Sequence, residues 1–364
     1  VSDLAVVGGR VIDPSQGLDR LLDVSVTDGK ISCLGPSVEP AAQTVDATGL
    51  ILVPGLVDLH THIYEGVSHY GIDADTYCLE RGVTTAVDAG SSGAQTFPGF
   101  KSYIVERADT NIFAFLNVAV QGMITRLVGE LEDLRWASPQ QAASVARQYP
   151  DLIVGIKVRL GYQMVGNDPE PAFLLAREAA DRTGLPLMVH IIDMRPPVSW
   201  LLPRLSEGDI VTHCFHGNDG GILQPDGRVH PEVRSARSRG VLFDVGHGAG
   251  SFGYRVARAA LADDFAPDTV SSDVHAHNVG GPVFDQATTL SKLLHCGMGL
   301  SDVVRATTAA PAEAIRRLGR VGSLANGSEA DITGLEVLQG AFELPDGTGK
   351  SEVVETLLAP RLVI

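Results

Sequence analysis

Pro54-Gly-Leu-Val-Asp-Leu-His-Thr-His62 is a short apolar run that closes on two histidines one residue apart. Its middle reads as a β-strand over 56–60. In extended chain the side-chain period is two, so His60 and His62 point to one face. Further runs of the same kind follow at 84–89, 112–120, 153–159, 186–191, 209–214, 241–245 and 269–273. Helical stretches separate them, at 138–149 (opened by Ser138-Pro139), 170–183, 230–239 and 255–262. Eight strand–helix units predict an α/β chain folded as a (β/α)8 TIM barrel.

Both ends of the chain have another character. Residues 1–52 are short strands and tight turns, with Asp28-Gly29 as a hairpin signal. After helices near 286–296, 301–309 and 311–318, strand character returns in 320–364, with Leu344-Pro-Asp-Gly-Thr-Gly349 read as a surface turn. The expectation is a small β-sandwich domain formed by both termini (1–52 plus 320–364) beside a barrel domain over 53–319.

Four of the later strands carry a polar candidate residue at or near their ends. Lys157 lies in Ile153-Val-Gly-Ile-Lys-Val-Arg159, His190 ends Leu187-Met-Val-His190, His213 ends Ile210-Val-Thr-His213, and Asp273 ends Thr269-Val-Ser-Ser-Asp273. Barrel sites form where strands end at their C-terminal side. Imidazole and carboxylate are the ligands a borderline divalent ion such as zinc takes. Alone, His190 and His213 would each more often be a hydrogen-bonded core histidine, and Lys157 a snorkelling or salt-bridged lysine.

The bulk numbers narrow the class. The chain has 364 residues, 44% apolar and 20% charged, with a net charge of −16. That charge offers no basic stripe for nucleic acid and no support for an anionic membrane surface. No apolar run approaches the roughly 20 residues a membrane helix needs. Val1 to Val7 lack a charged leader, and the four cysteines (Cys33, Cys78, Cys214, Cys296) form no Cys-x-x-Cys pair. A cytoplasmic setting is the expectation.

The six residues in this order resemble the amidohydrolase superfamily, and the likeness runs along essentially the whole chain. It implies His60 and His62 on strand one, a carboxylated Lys157 on strand four, His190 and His213 on strands five and six, and Asp273 on strand eight. It further implies two divalent ions, expected to be zinc, bridged by N6-carboxylysine at Lys157. Water activated between them attacks a carbonyl, with Asp273 as the catalytic proton carrier. Dihydroorotases of this kind carry an arginine two residues after the second histidine, where this chain has Tyr64. The runs Asp88-Ala-Gly-Ser-Ser-Gly93, Lys157-Val-Arg159 and Phe243-Asp-Val-Gly-His-Gly248 are most similar to a deacetylase branch. That branch acts on acetylated small carboxylic acids, as amides of amino acids or esters of hydroxy acids.

Superfamily does not fix substrate. Arg159 shares the inward face with Lys157, and its planar fork suits a substrate carboxylate, though a structural salt bridge is the equal alternative. Tyr64, His247, His275 and Gly281 are further expected substrate-binding positions; Arg195, His216, His277 and Asn278 sit in similar places. The partner is a small molecule bearing a carboxylate, with a homo-oligomer left open. The rival enzyme reading is a cyclic amidohydrolase (dihydroorotase- or hydantoinase-like). The rival of another class is a non-catalytic interaction module, which the retention of all six residues opposes.

Overall fold

The computed structural model describes residues 2–364. Its centre is a seven-stranded parallel sheet in sequential order: β1 (Leu56–Thr61), β2 (Val83–Gly93), β3 (Asn111–Asn117), β4 (Ile153–Arg159), β5 (Leu187–His190), β6 (Ile210–Thr212) and β7 (Leu242–Asp244). Parallel strands covered on both faces read as unbroken apolar runs, and β4 is buried at every position. The sheet is curled. Lys157 of β4 comes within 3.3 Å of His60 of β1 although two strands lie between them, which a flat sheet with ~4.8 Å spacing forbids. Leu59, Val87, Phe115, Val154, Met188 and Ile210, from six successive strands, share one apolar cluster for the same reason.

The eighth strand expected at 269–273 is not a regular one. That segment makes isolated bridges only, Asp244 with Thr269 and Thr61 with Val274, yet it closes the ring between β7 and β1. The cause is local. The Ser272 N–H goes to the Asp58 carboxylate, and Asp273 has φ 50°, which turns the chain out of the ladder. The expected helices appear close to their predicted bounds. Ser138 caps Pro139–Gln148 by accepting from the Gln141 N–H, and Gly184 at φ 66° ends Glu170–Thr183.

The termini form two further sheets. One has four strands (Lys30–Gly35, Asp23–Thr27, Ser2–Val7, Ala41–Asp46, in spatial order). The other has five, in which Ile51–Pro54 pairs antiparallel with the start of Ile332–Pro345, so the two chain ends do meet. Val6, Val11, Val24, Leu52, Leu324 and Ile332 build a separate core there. The long hairpin Ile332–Pro345/Ser351–Val363 runs on past these sheets to the barrel, where the Leu358 N–H donates to Ser291. Its tip is therefore not a free surface turn. Asp346 is buried and accepts from the Tyr254 N–H, while the Gly347 N–H donates to Phe252 O.

Candidate active site

All six residues converge at the C-terminal end of the curled sheet. His60, His62, His190, His213 and Asp273 line a cavity of about 280 Å³, and Lys157 lies beneath it, fully buried. An Asp273 carboxylate oxygen is 3.5 Å from His60 Nε2 and 3.2 Å from His62 Nε2. The His190 and His213 rings stand edge to face with centroids 4.4 Å apart, and the His60 and His213 centroids are 5.0 Å apart. His213 and Asp273 both have positive φ, 72° and 50°, a conformation that non-glycine residues hold only where the surroundings enforce it.

The imidazoles are oriented from behind. His60 Nδ1 lies 2.9 Å from Thr212 Oγ1, whose hydroxyl donates to Asp244 at 2.7 Å. That hydroxyl has one hydrogen, spent on the carboxylate, so His60 donates from Nδ1 and keeps the Nε2 lone pair facing the cavity. His62 Nδ1 meets Ser91 Oγ at 2.9 Å, and His213 Nδ1 donates to Gly246 O at 2.7 Å. The second nitrogen of His213, Nε2, is buried with no hydrogen-bond partner. An orphaned imidazole nitrogen, tautomers fixed by outer partners, and three donor atoms within 4.8 Å of one another (from His60, His62 and Asp273) are what a metal centre requires. The residues fit such ions.

Burial dominates the electrostatics. It drives His60, His62 and His190 well below the usual histidine range and His213 down to about 3, so the imidazoles are neutral and able to ligate. It raises Asp273, against the pull of His275 and His213. It lowers Lys157 to about 7, although Asp273 favours the charged form. The Lys157 amine has His60 Nε2 and Met188 Sδ as neighbours, each at 3.3 Å, and no carboxylate within ion-pair distance. Gly90 (φ 91°) makes room for it, since a Cβ there would stand 2.7 Å from Lys157 Cγ.

The expected substrate-binding residues fare unequally. His275 lines the cavity, with its ring centroid 4.5 Å from Tyr70 and its Nδ1 taken by the His277 N–H. Arg159 also lines it, but its fork already holds a carboxylate: Nε and Nη2 donate to buried Glu130 at 2.6 and 2.7 Å. Tyr64, His247 and Gly281 are corrections, since none lines the cavity. Tyr64 packs on Phe100 and donates to Thr96 O, because β1 ends at Thr61 and the period of two does not extend to it. His247 stacks on Phe252 and accepts from Lys292 at 2.9 Å, so it braces the loop rather than meeting a ligand. Gly281, at φ 119°, faces the Phe284 ring.

Sequence reasoning missed Tyr70, Arg126, Glu130, Gln163, Thr212 and Asp244. Thr212 carried a signal, one position before His213 on the same strand. The others come from loops, from the short helix Tyr162–Val165 (Gln163) or from the end of β7 (Asp244), with no ligand-like pattern to mark them.

Comparison with known proteins agrees with the geometry. The model of the amidohydrolase family matches residues 247–357. Among curated relatives, "Deacetylase Atu3266" of Agrobacterium fabrum is 36% identical over 342 residues, covering 93% of this chain and 83% of the relative. A deacetylase of Brucella anthropi is 35% identical over 352 residues, covering 95% and 87%. Among solved structures, one described as an adenine deaminase superposes with TM-score 0.93 at 29% identity (100% of this chain, 98% of that one). One described as a dihydroorotase gives 0.91 at 33% identity (99% and 97%). With the family's fold and a likeness that runs along most of the chain, the chain belongs to the amidohydrolase family, as a hydrolytic enzyme on the branch that holds these deacetylases.

Proposed function

We propose that this enzyme is a deacetylase that cleaves the acetyl amide or ester of a small carboxylic acid, an N-acetyl amino acid or an O-acetyl 2-hydroxy acid. The observation that carries the reading is the convergence of the six side chains at one cavity, in a chain 36% and 35% identical to two curated deacetylases over 93% and 95% of its length.

His60, His62 and Asp273 would hold one divalent ion, and His190 with His213 a second; zinc suits this set. Lys157 would supply a further ligand group to this set. Its neutral amine, favoured by burial, would add to carbon dioxide: the N–C bond forms, one N–H proton leaves to solvent, and the neutral amine becomes a carbamate anion with two ligand oxygens. The likeness to the family and the missing carboxylate partner both support that step. When bound, such ions polarise a carbonyl and lower the pKa of water towards about 7. Asp273, at the cavity wall and raised by burial, accepts the proton of the attacking water and passes it to the leaving amine or alkoxide. His275, beside Asp273 in sequence and at the same cavity, orients the scissile group. The products are acetate and an amino or hydroxy acid. The two terminal sheets and their shared core support one β-sandwich domain of residues 1–52 plus 320–364, beside a 53–319 barrel.

The second reading, a cyclic amidohydrolase, is favoured by the likeness to the dihydroorotase structure. Against it, Tyr64 stands where an arginine would grip the ring acid's carboxylate, and its ring lies in the core. Acetate release from a panel of N-acetyl amino acids and O-acetyl hydroxy acids of both hands, against ring opening of cyclic imides, separates the two. Acetate from the first set is expected. Ring opening alone would overturn the assignment.

A further inference from the structure

Two arginines line the cavity, and they are in opposite states. Arg159 is buried and paired along one edge. Both of its donors on one edge are given to Glu130, and its guanidinium lies over the Tyr70 ring at 5.7 Å. Withdrawing it to meet a substrate would leave the Glu130 carboxylate buried and unpaired. Arg126 is exposed and, among the described residues, makes no ion pair. Both belong to one construction. Glu130 sits in the 118–133 loop after β3, and the Arg159–Glu130 pair ties that loop to the end of β4. The tie is reinforced where the Leu131 N–H donates to Met164 O, the Met123 N–H to Ser91 O, and Gln121 to Glu130 O. A loop fixed at both shoulders carries Arg126 to the cavity between them. The other carboxylate at the cavity outside the metal-facing group, Asp193, is already taken by Asn218 at 2.8 Å.

We propose that Arg126, held over the cavity by the buried Glu130–Arg159 pair, is the residue that recognises the anionic group of the substrate, and that Arg159 is a strut. This rests on the deacetylase reading for the nature of the substrate, a carboxylate one side chain away from the acetyl bond. A guanidinium fork matches a carboxylate with two parallel hydrogen bonds. An arginine at the exposed rim keeps part of its hydration in the complex, so the desolvation cost of pairing with a charged ligand is smaller than at a buried site. The same arrangement gives Arg159, two residues beyond Lys157, a role in holding the loop through Glu130.

Calorimetry on the metal-loaded enzyme tests this with N-methanesulfonyl amino acids, which resist hydrolysis, each paired with its carboxamide. Wild type is expected to bind the acid about 10- to 100-fold more tightly than the carboxamide, the worth of a charge-assisted contact. In Arg126→Ala the two should bind alike, and Arg126→Lys should recover part of the preference. A wild type that does not prefer the acid, or a preference that survives Arg126→Ala, would overturn the proposal, and its loss in Arg159→Met instead would assign the contact to Arg159. Acetate release is followed in parallel with the acetylated acids. Its absence would count against the deacetylase reading alone, because the binding contrast needs no turnover.

Discussion

The floor of the cavity and the seam behind it each bury a lysine, and the two differ in what surrounds them. Lys157 sits under the metal-facing group; Lys292 sits where the C-terminal hairpin meets the barrel. Burial lowers both to about 7. Lys292 nevertheless has three acceptors for its three hydrogens: Pro282 O at 2.5 Å, Pro345 O at 2.8 Å and His247 Nε2 at 2.9 Å. It joins the loop after β7, the loop after Asp273 and the hairpin tip. Lys157 has an imidazole and a thioether and no oxygen. A shifted lysine is thus not itself a sign of chemistry. The sign is a buried amine whose neighbours leave it unsatisfied, next to groups that need an anion.

Exchanging the two lysines for inert groups should break the molecule in different ways. Lys157→Ala is expected to lower kcat by at least about 100-fold, more than loss of an outer-shell partner is worth, and to reduce metal content by direct analysis. Short carboxylic acids should restore part of the activity. Lys292→Met should leave metal content at the wild-type level but destabilise the fold by about 2–4 kcal/mol, read from the denaturation midpoint, because buried acceptors lose their donor. Metal loss in Lys292→Met without loss of stability would erase the distinction.

Two smaller effects sharpen it. Thr212→Val removes the hydroxyl between His60 and Asp244 and should weaken metal binding about 10- to 100-fold in a chelator competition, with the fold retained. At the seam, Arg258 and His295 hold Glu352 down to about 2 from 4.5. A carboxylate with a depressed folded-state pKa contributes stability above about 4.5, and that contribution is lost as pH falls towards 2. Glu352→Gln should therefore lower stability at all pH above about 4.5, flatten the profile between those values and leave the slope in the neutral range unchanged. An unaltered acid limb would show that the hairpin contact carries no linkage.

The same contrast explains what was legible in the sequence. The floor was: β1, β4, β5 and β6 are apolar runs ending at or beside His60, Lys157, His190 and His213, and burial on both faces enforces that spelling. Asp273 was found although its strand is irregular, because the ring still closes through Thr269 and Val274. The rim was not. Tyr64, His247 and Gly281 were placed by adjacency to strands, but side-chain direction in a loop is set by its tertiary contacts, here with Phe100, Phe252 and Phe284. Arg159 had the correct face, yet its partner Glu130 lies in a distant loop that no periodicity marks. The buried tip at Asp346 was hidden for the same reason: a turn-forming sequence does not record what packs against it.

The central claim is that Lys157 carries a carbamate and Lys292 does not. Carbon-13 magnetic resonance of the metal-loaded enzyme equilibrated with labelled bicarbonate tests it directly. The account predicts a carbamate resonance of about one per chain in wild type and in Lys292→Met, absent from Lys157→Ala. A fully metal-loaded, active wild type with no such resonance, or a resonance that persists in Lys157→Ala, would contradict it.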